Sequence, residues 1–245
     1  MKLRSICLAV TMAVVAVSTA QGAPVQLLTN GGFETGSYAG WTTTSQSGSG
    51  GSLNIDTPGT TTPQSGQSTA ANGTGGAFYS VTDQGGPGAY SLRQSFTVVP
   101  GSSSVLLSFQ MYANSYGGGP FFGNGLNHTG IANQHARVDI LTAGAAAFDL
   151  GATVLQNLYL GVDSTSSNPN PYVNYSFDIT SLVGAGGTFQ LRFAQVDNRG
   201  FFNQGVDNVS IVADANANAV PEPASLALVG LGLAGLAAAR RRKAK

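Results

Sequence analysis

Between Pro24 and Ala213, apolar and polar residues alternate in short runs separated by clusters of Gly, Ser, Asn and Pro. Tyr90, Leu92, Gln94, Phe96 and Val98 alternate with Ser91, Arg93, Ser95 and Thr97. Tyr175, Phe177 and Ile179 do so against Ser176 and Asp178, and Phe189, Leu191 and Phe193 against Gln190 and Arg192. A period of two turns one face of a strand to a core and the other to water. The pattern predicts strands over Val25–Leu28, Trp41–Thr44, Ser52–Asp56, Ala77–Val81, Tyr90–Val98, Val105–Tyr112, Ala136–Leu141, Val154–Leu160, Tyr172–Ile179, Thr188–Val196 and Gly205–Val212. Ser45–Gly51 and Asp83–Gly88 read as loops, and the longest irregular region runs from Ala113 to Gln134. No stretch of this span holds a 3.6-residue period, which predicts an all-β sandwich or barrel.

The two ends follow other rules. Lys2 and Arg4 precede an apolar run from Ile6 to Val17 and then small residues, the pattern of a signal peptide over 1–23. At the other end, Val220-Pro221-Glu222-Pro223 leads into the uncharged run 224–239 and a basic end, 240–245, with Arg240, Arg241 and Arg242. Prolines keep the chain extended up to Pro223, which suits a first helical position. A helix over 224–239 reaches roughly 24 Å, short of a ~30 Å hydrocarbon core. The basic cluster orients it with that end in the cytoplasm. In order and place these three parts closely resemble the PEP-CTERM sorting signal of Gram-negative envelope proteins. The resemblance implies an exosortase-type membrane peptidase acting near Pro221-Glu222-Pro223. It also implies transient residence in the inner membrane, then delivery to the envelope, outer surface or medium.

Excluding both addresses changes the charge picture. The whole chain balances 11 basic against 11 acidic residues, but 24–213 holds nine acids and four arginines, a net charge of −5. A lysine-free, acidic domain has no electrostatic footprint for nucleic acid. The sole cysteine, Cys7, lies in the signal segment, so the exported domain has no disulfide, thiol nucleophile or cysteine metal site. Residues 214–219 read as a linker.

The opening Leu28-Thr29-Asn30-Gly31-Gly32-Phe33-Glu34-Thr35-Gly36, with Gly40-Trp41, resembles the start of galactose-binding-like jelly rolls. Gly205-Val206-Asp207-Asn208-Val209-Ser210-Ile211 resembles their closing strand. That superfamily contains many carbohydrate-binding modules, so the resemblance implies a jelly-roll β-sandwich without fixing a ligand. It further implies a structural Ca²⁺ held by Glu34 and Asp207, since carboxylates and Gly-rich carbonyls suit that ion. Read without the resemblance, both side chains could simply brace turn amides.

Other candidates are polar or aromatic. Arg137 and Asp139 share a strand face that Arg192 also joins, either as a cross-strand ion network or as a sugar platform. Phe121-Phe122 and Phe201-Phe202 sit in Gly-rich loops, as caps of the sandwich or as a stacking face for sugar or protein. One ring of each pair is expected to be structural, with Phe202 or Phe122 the more exposed. Asp197-Asn198-Arg199 supplies polar groups beside the second pair. His128 and His135 lie seven apart in the irregular region with no zinc-type spacing, and read as surface or hydrogen-bonding residues. Catalysis has no marked motif. The expectation is an exported, non-catalytic protein of envelope or matrix, adhesive or exopolysaccharide-associated. The alternative is a glycan-acting enzyme with an unrecognised carboxylate pair.

Overall fold

The computed structural model describes residues 23–58, 76–162 and 170–214, and within the tail 229–230 and 232–233. The expected signal peptide, the Pro-Glu-Pro and the basic end fall outside these residues. Of the expected tail helix, 229–230 and 232–233 are helical. Among the described residues no helix is long and apolar enough to cross a membrane.

Residues 23–216 form one compact unit of two antiparallel sheets. The first contains β1 (Val25–Gln26), β3 (Gly51–Asp56), β4 (Tyr79–Gln84), β6 (Val105–Ser115), β10 (Val173–Asp178) and β12 (Phe202–Ala213). Their order is β10-β6-β12-β4-β3, with β1 beside the far end of β12. The second contains β2 (Thr42–Ser45), β5 (Gly88–Val98), β7 (Phe121–Phe122), β8 (Asn133–Thr142), β9 (Val154–Gly161) and β11 (Gly187–Asp197). Its order is β2-β5-β11-β8, with β7 and β9 both along the outer edge of β8. From β5 to β12 the chain crosses repeatedly between sheets, the winding of a jelly roll.

All eleven predicted strands are present. Two elements come in addition: β7, and a single helical turn, α1 (Thr180–Val183), whose Val183 is buried. Neither has a local pattern to announce it, since β7 exists through pairing with Gln134 and Asn133. Strand β6 also runs on to Ser115, because Phe202, Asn203 and Gln204 pair with Ser115, Asn114 and Ala113.

The inner faces meet as the alternation requires. Leu92 and Phe96 of β5, Leu107 and Phe109 of β6, Val138 and Ile140 of β8, and Leu191 and Phe193 of β11 are buried together. Phe109 stands edge-on to Phe193 across the two sheets, with ring centroids 5.0 Å apart, and stacks on Tyr175 at 5.1 Å. Such pairs add to burial energy. Trp41 closes the cluster, and its indole N–H donates to the Asn30 carbonyl at 3.0 Å. The opening and closing motifs interlock: the Leu27 N–H donates to Ile211 O and the Val209 N–H to Gly31 O. A Cβ at Gly31 would overlap the Val209 carbonyl, so only glycine permits this approach.

Candidate functional site

Glu34 and Asp207 do converge. The Cγ of Glu34 lies 3.7 Å, and the Oδ1 of Asp207 3.9 Å, from where a Gly32 Cβ would stand. Asn30, Phe33 and Asn208 all adopt positive φ around them, backbone strain of the kind gathered at functional sites. Glu34 is exposed, and its carboxylate accepts the Ala77 N–H at 2.9 and 3.0 Å and the Phe78 N–H at 3.3 Å. Asp207 is 0% exposed. Its Oδ1 accepts the Asn208 N–H at 2.7 Å, while Oδ2 is buried without a partner among the described residues. Burial pushes its carboxyl up to about 7; the Asn208 N–H opposes this and the neighbouring Glu34 adds to it. A buried carboxylate oxygen that lacks a donor, beside a second carboxylate, is chemistry a hard cation fits. Two side chains are the whole acidic set here, for among the described residues no three His, Cys, Asp or Glu cluster. With no exposed surface, Asp207 is equally unable to touch a substrate.

Arg137, Asp139 and Arg192 are also brought together, but beneath the surface. Arg137 grips Asp139 through Nε at 2.7 Å and Nη2 at 2.6 Å; Arg192 grips it through Nε at 3.0 Å and Nη2 at 2.6 Å. Asn157 of β9 donates to the same carboxylate at 2.8 Å. Carbonyls of the loop between β8 and β9 close over the group, with Ala147 O and Asp149 O accepting from Arg192 Nη1. Arg192 and Asp139 are fully buried and Arg137 nearly so. The geometry is the cross-strand network, and it offers no open sugar platform. Two charge-assisted forks on one carboxylate, with loop carbonyls as further acceptors, explain why these charges go inside.

The phenylalanine pairs divide unequally. Phe202 is 0% exposed and packs with Ala113 and Ala136, while Phe201 is 39% exposed. The expectation that Phe202 is an exposed partner is corrected. Its register opposite Ser115 carries its ring inward, and Phe201, just before the strand, is left outside. In the other pair Phe122 is the exposed ring, at 55%. The half-buried Phe121 carries the Arg199 guanidinium 5.5 Å above its ring.

Phe201 walls a cleft of about 330 Å³ with Gly85, Gly86, Pro87, Asp197, Asn198 and Gly200. The loops that build it are braced from below. Asn198 donates to His128 O and Ile131 O and accepts from the Asn133 N–H. Asp197 Oδ1 accepts the Arg199 N–H at 2.9 Å. On the opposite wall, the Gly50 N–H donates to Pro87 O and the Gly85 N–H to Gly50 O. Phe122 and Ile131 add exposed apolar surface at the same end of the sandwich. Both histidines are buried rather than surface residues. His135 Nδ1 lies 3.3 Å from Phe121 O, and burial lowers the pKa of its ring.

The chain is similar to several solved structures at low identity. The module TmCBM61, in complex with beta-1,4-galactotriose, is 12% identical (76% of this chain, 97% of that one, TM-score 0.47). A Stig cyclase from Fischerella sp. TAU is 17% identical (79% and 100%, TM-score 0.45). The K1 cleaved adhesin domain of Lys-gingipain from Porphyromonas gingivalis is 13% identical (80% and 99%, TM-score 0.45). No curated protein is significantly similar in sequence. The tail is unambiguous: residues 219–243 match the PEP-CTERM protein-sorting motif, and the chain is an exported protein addressed to an exosortase-type system.

Proposed function

We propose that the exported domain is a non-catalytic glycan-binding unit of the cell envelope or extracellular matrix, adhesive or exopolysaccharide-associated. The observation that carries this reading is Phe201, a ring left 39% exposed on the wall of a cleft while its neighbour Phe202 is locked in the core. An exposed ring on a braced, Gly-rich loop offers a rigid apolar face to sugar C–H groups at little entropic cost. Asp139 is consumed by two arginines and Asp207 is shielded, which supports binding without turnover. In this reading the exosortase-type peptidase cuts near Pro221-Glu222-Pro223 and removes the tail. Glu34 and Asp207 hold a structural Ca²⁺ that supplies the missing partner of Asp207 Oδ2 and ties the opening loop to β12. A glycan array run beside a hydrolysis screen tests the main reading. Specific binding that Phe201→Ala abolishes, without turnover, supports it; turnover, or binding indifferent to Phe201→Ala, overturns it.

A further inference from the structure

The cleft walled by Phe201 keeps its polar side chains for the protein and leaves few to a guest. Of its seven lining residues, only Asp197 and Asn198 carry a polar side chain. Asn198 engages both amide hydrogens, with His128 O at 3.0 Å and Ile131 O at 2.8 Å. Its Oδ1 accepts the Asn133 N–H at 2.9 Å. Asp197 is only 1% exposed, and its Oδ1 accepts the Arg199 N–H. A guest therefore meets almost none of that carboxylate.

The backbone adds little. Along Gly85–Pro87, the Gly85 N–H already donates to Gly50 O, and Pro87 has no N–H while its carbonyl accepts the Gly50 N–H. The N–H groups of Gly86, Gly200 and Phe201 make no hydrogen bond among the described residues. They can hold a ring at a few points, as ligand sites commonly do, but cannot meet a hydroxyl at every carbon. The glycines bring no side chain, so the remaining wall is ring carbon of Phe201 and Pro87. At about 330 Å³ the cleft lies at the small end of ligand pockets, ~300–1,000 Å³, room for one sugar ring with a short substituent. Asp197 is the one ionisable group in the lining, and its sign disfavours an acidic sugar.

We infer that the cleft selects a sugar that turns a methyl group onto Phe201 and Pro87. The methyl is the C6 of a 6-deoxyhexose or the end of an acetamido group. This rests on the glycan-binding reading and names the class of sugar that the same site takes. A methyl there leaves water and buries apolar area without stranding a polar atom. A hydroxymethyl in its place brings an O–H against ring carbon, where no side chain is left to pair with it.

Calorimetry on the full chain in mild detergent tests it with sugars matched in pairs. L-Fucose is set against L-galactose, which differs from it by one hydroxyl, and N-acetylglucosamine against glucose. In at least one pair the methyl-bearing sugar binds about tenfold to a hundredfold more tightly, the discrimination open to an apolar pocket. Which pair shows it separates the deoxy source from the acetyl source. Pro87→Ser keeps the carbonyl that Gly50 uses and replaces ring carbon by a hydroxyl. It brings the preference toward parity, a change in specificity that a folding defect alone does not give. Parity in both pairs, or a preference for the hydroxylated sugars, overturns the inference. If that unselective binding still vanishes in Phe201→Ala, the glycan-binding reading stands. A preference unchanged in Pro87→Ser also overturns the inference. Binding of none of the four sugars overturns the inference alone, and the glycan array then decides the reading.

Discussion

Replacing Phe202 and Phe201 by alanine, one at a time, asks two neighbouring residues of the same type for opposite answers. Phe202 is fully buried and packs against Ala113 and Ala136, side chains too short to swing into a void. Half-buried Tyr159 and Val162 complete its surroundings. A cavity there stays open, so Phe202→Ala belongs in the upper part of the ~3–5 kcal/mol range for Phe truncation, at about 4 kcal/mol. For a domain of about 190 residues, each kcal/mol moves the midpoint by roughly 2–4 °C, so a fall of about 8–16 °C follows. Phe201 already meets water over 39% of its surface, and its removal opens to solvent rather than to a void. Phe201→Ala should therefore cost only about 1–2 kcal/mol of lost apolar burial. Urea unfolding followed by intrinsic fluorescence from Trp41 reads both values on one scale. A Phe202→Ala cost below about 1 kcal/mol, or a Phe201→Ala cost equal to it, would refute the assignment of one ring to the core and the other to the cleft.

Further outcomes follow from the carboxylates and the tail. Burial holds the Asp207 carboxyl at about 7, above its unfolded value, so its stabilising contribution is complete below about pH 4 and is lost as pH rises through 7. In chelator the melting temperature should fall across that window, and Asp207→Asn should flatten the slope. Millimolar Ca²⁺ should raise the midpoint at pH 7 by mass action, a response Glu34→Gln should remove; a midpoint indifferent to chelator and calcium leaves only turn bracing. Asp139→Asn strands two buried guanidiniums and should cost about 3–5 kcal/mol in a denaturant titration; a cost under 1 kcal/mol means water reaches the network. Changing Pro221, Glu222 and Pro223 to alanine should leave export intact and the tail uncut, seen as a heavier mass of envelope material. A C-terminus identical to that of the parent would rule out recognition through those residues.

The strands were legible because each puts alternating residues on a face, a local property the chain displays without its partners. Long-range partners decide what was not. Asn114 and Ser115 read as loop until β12 lies beside them. The polar end of the sandwich was equally hidden. Thr82, Gln195, Asn203 and Gln204 are buried, because the Gln195 amide reaches Phe202 O, the Asn203 amide reaches Thr82 O and the Gln204 N–H reaches Thr82 Oγ1. No periodicity distinguishes such residues from a wet face. The same limit governs the arginines: Arg93, Arg137 and Arg192 alternate alike, and only the cross-strand place of Asp139 tells the ion-paired two from the third. For the tail, order in the sequence was sufficient, because a sorting address is read as a linear segment.

The placement of β12 has a mechanical consequence. Its first residue, Phe202, stands at the loop cleft, and its last, Ala213, pairs with Val25 at the far end, roughly 36 Å away at about 3.3 Å per residue. A force applied between the loop cleft and the C-terminal end of β12 therefore runs along the axis of this strand. The neighbouring β6 runs antiparallel to it over most of its length, so pulling β12 along its axis against that neighbour loads many ladder hydrogen bonds at once, in shear, instead of peeling them one after another. A domain strung this way resists a pull along β12 better than one across it.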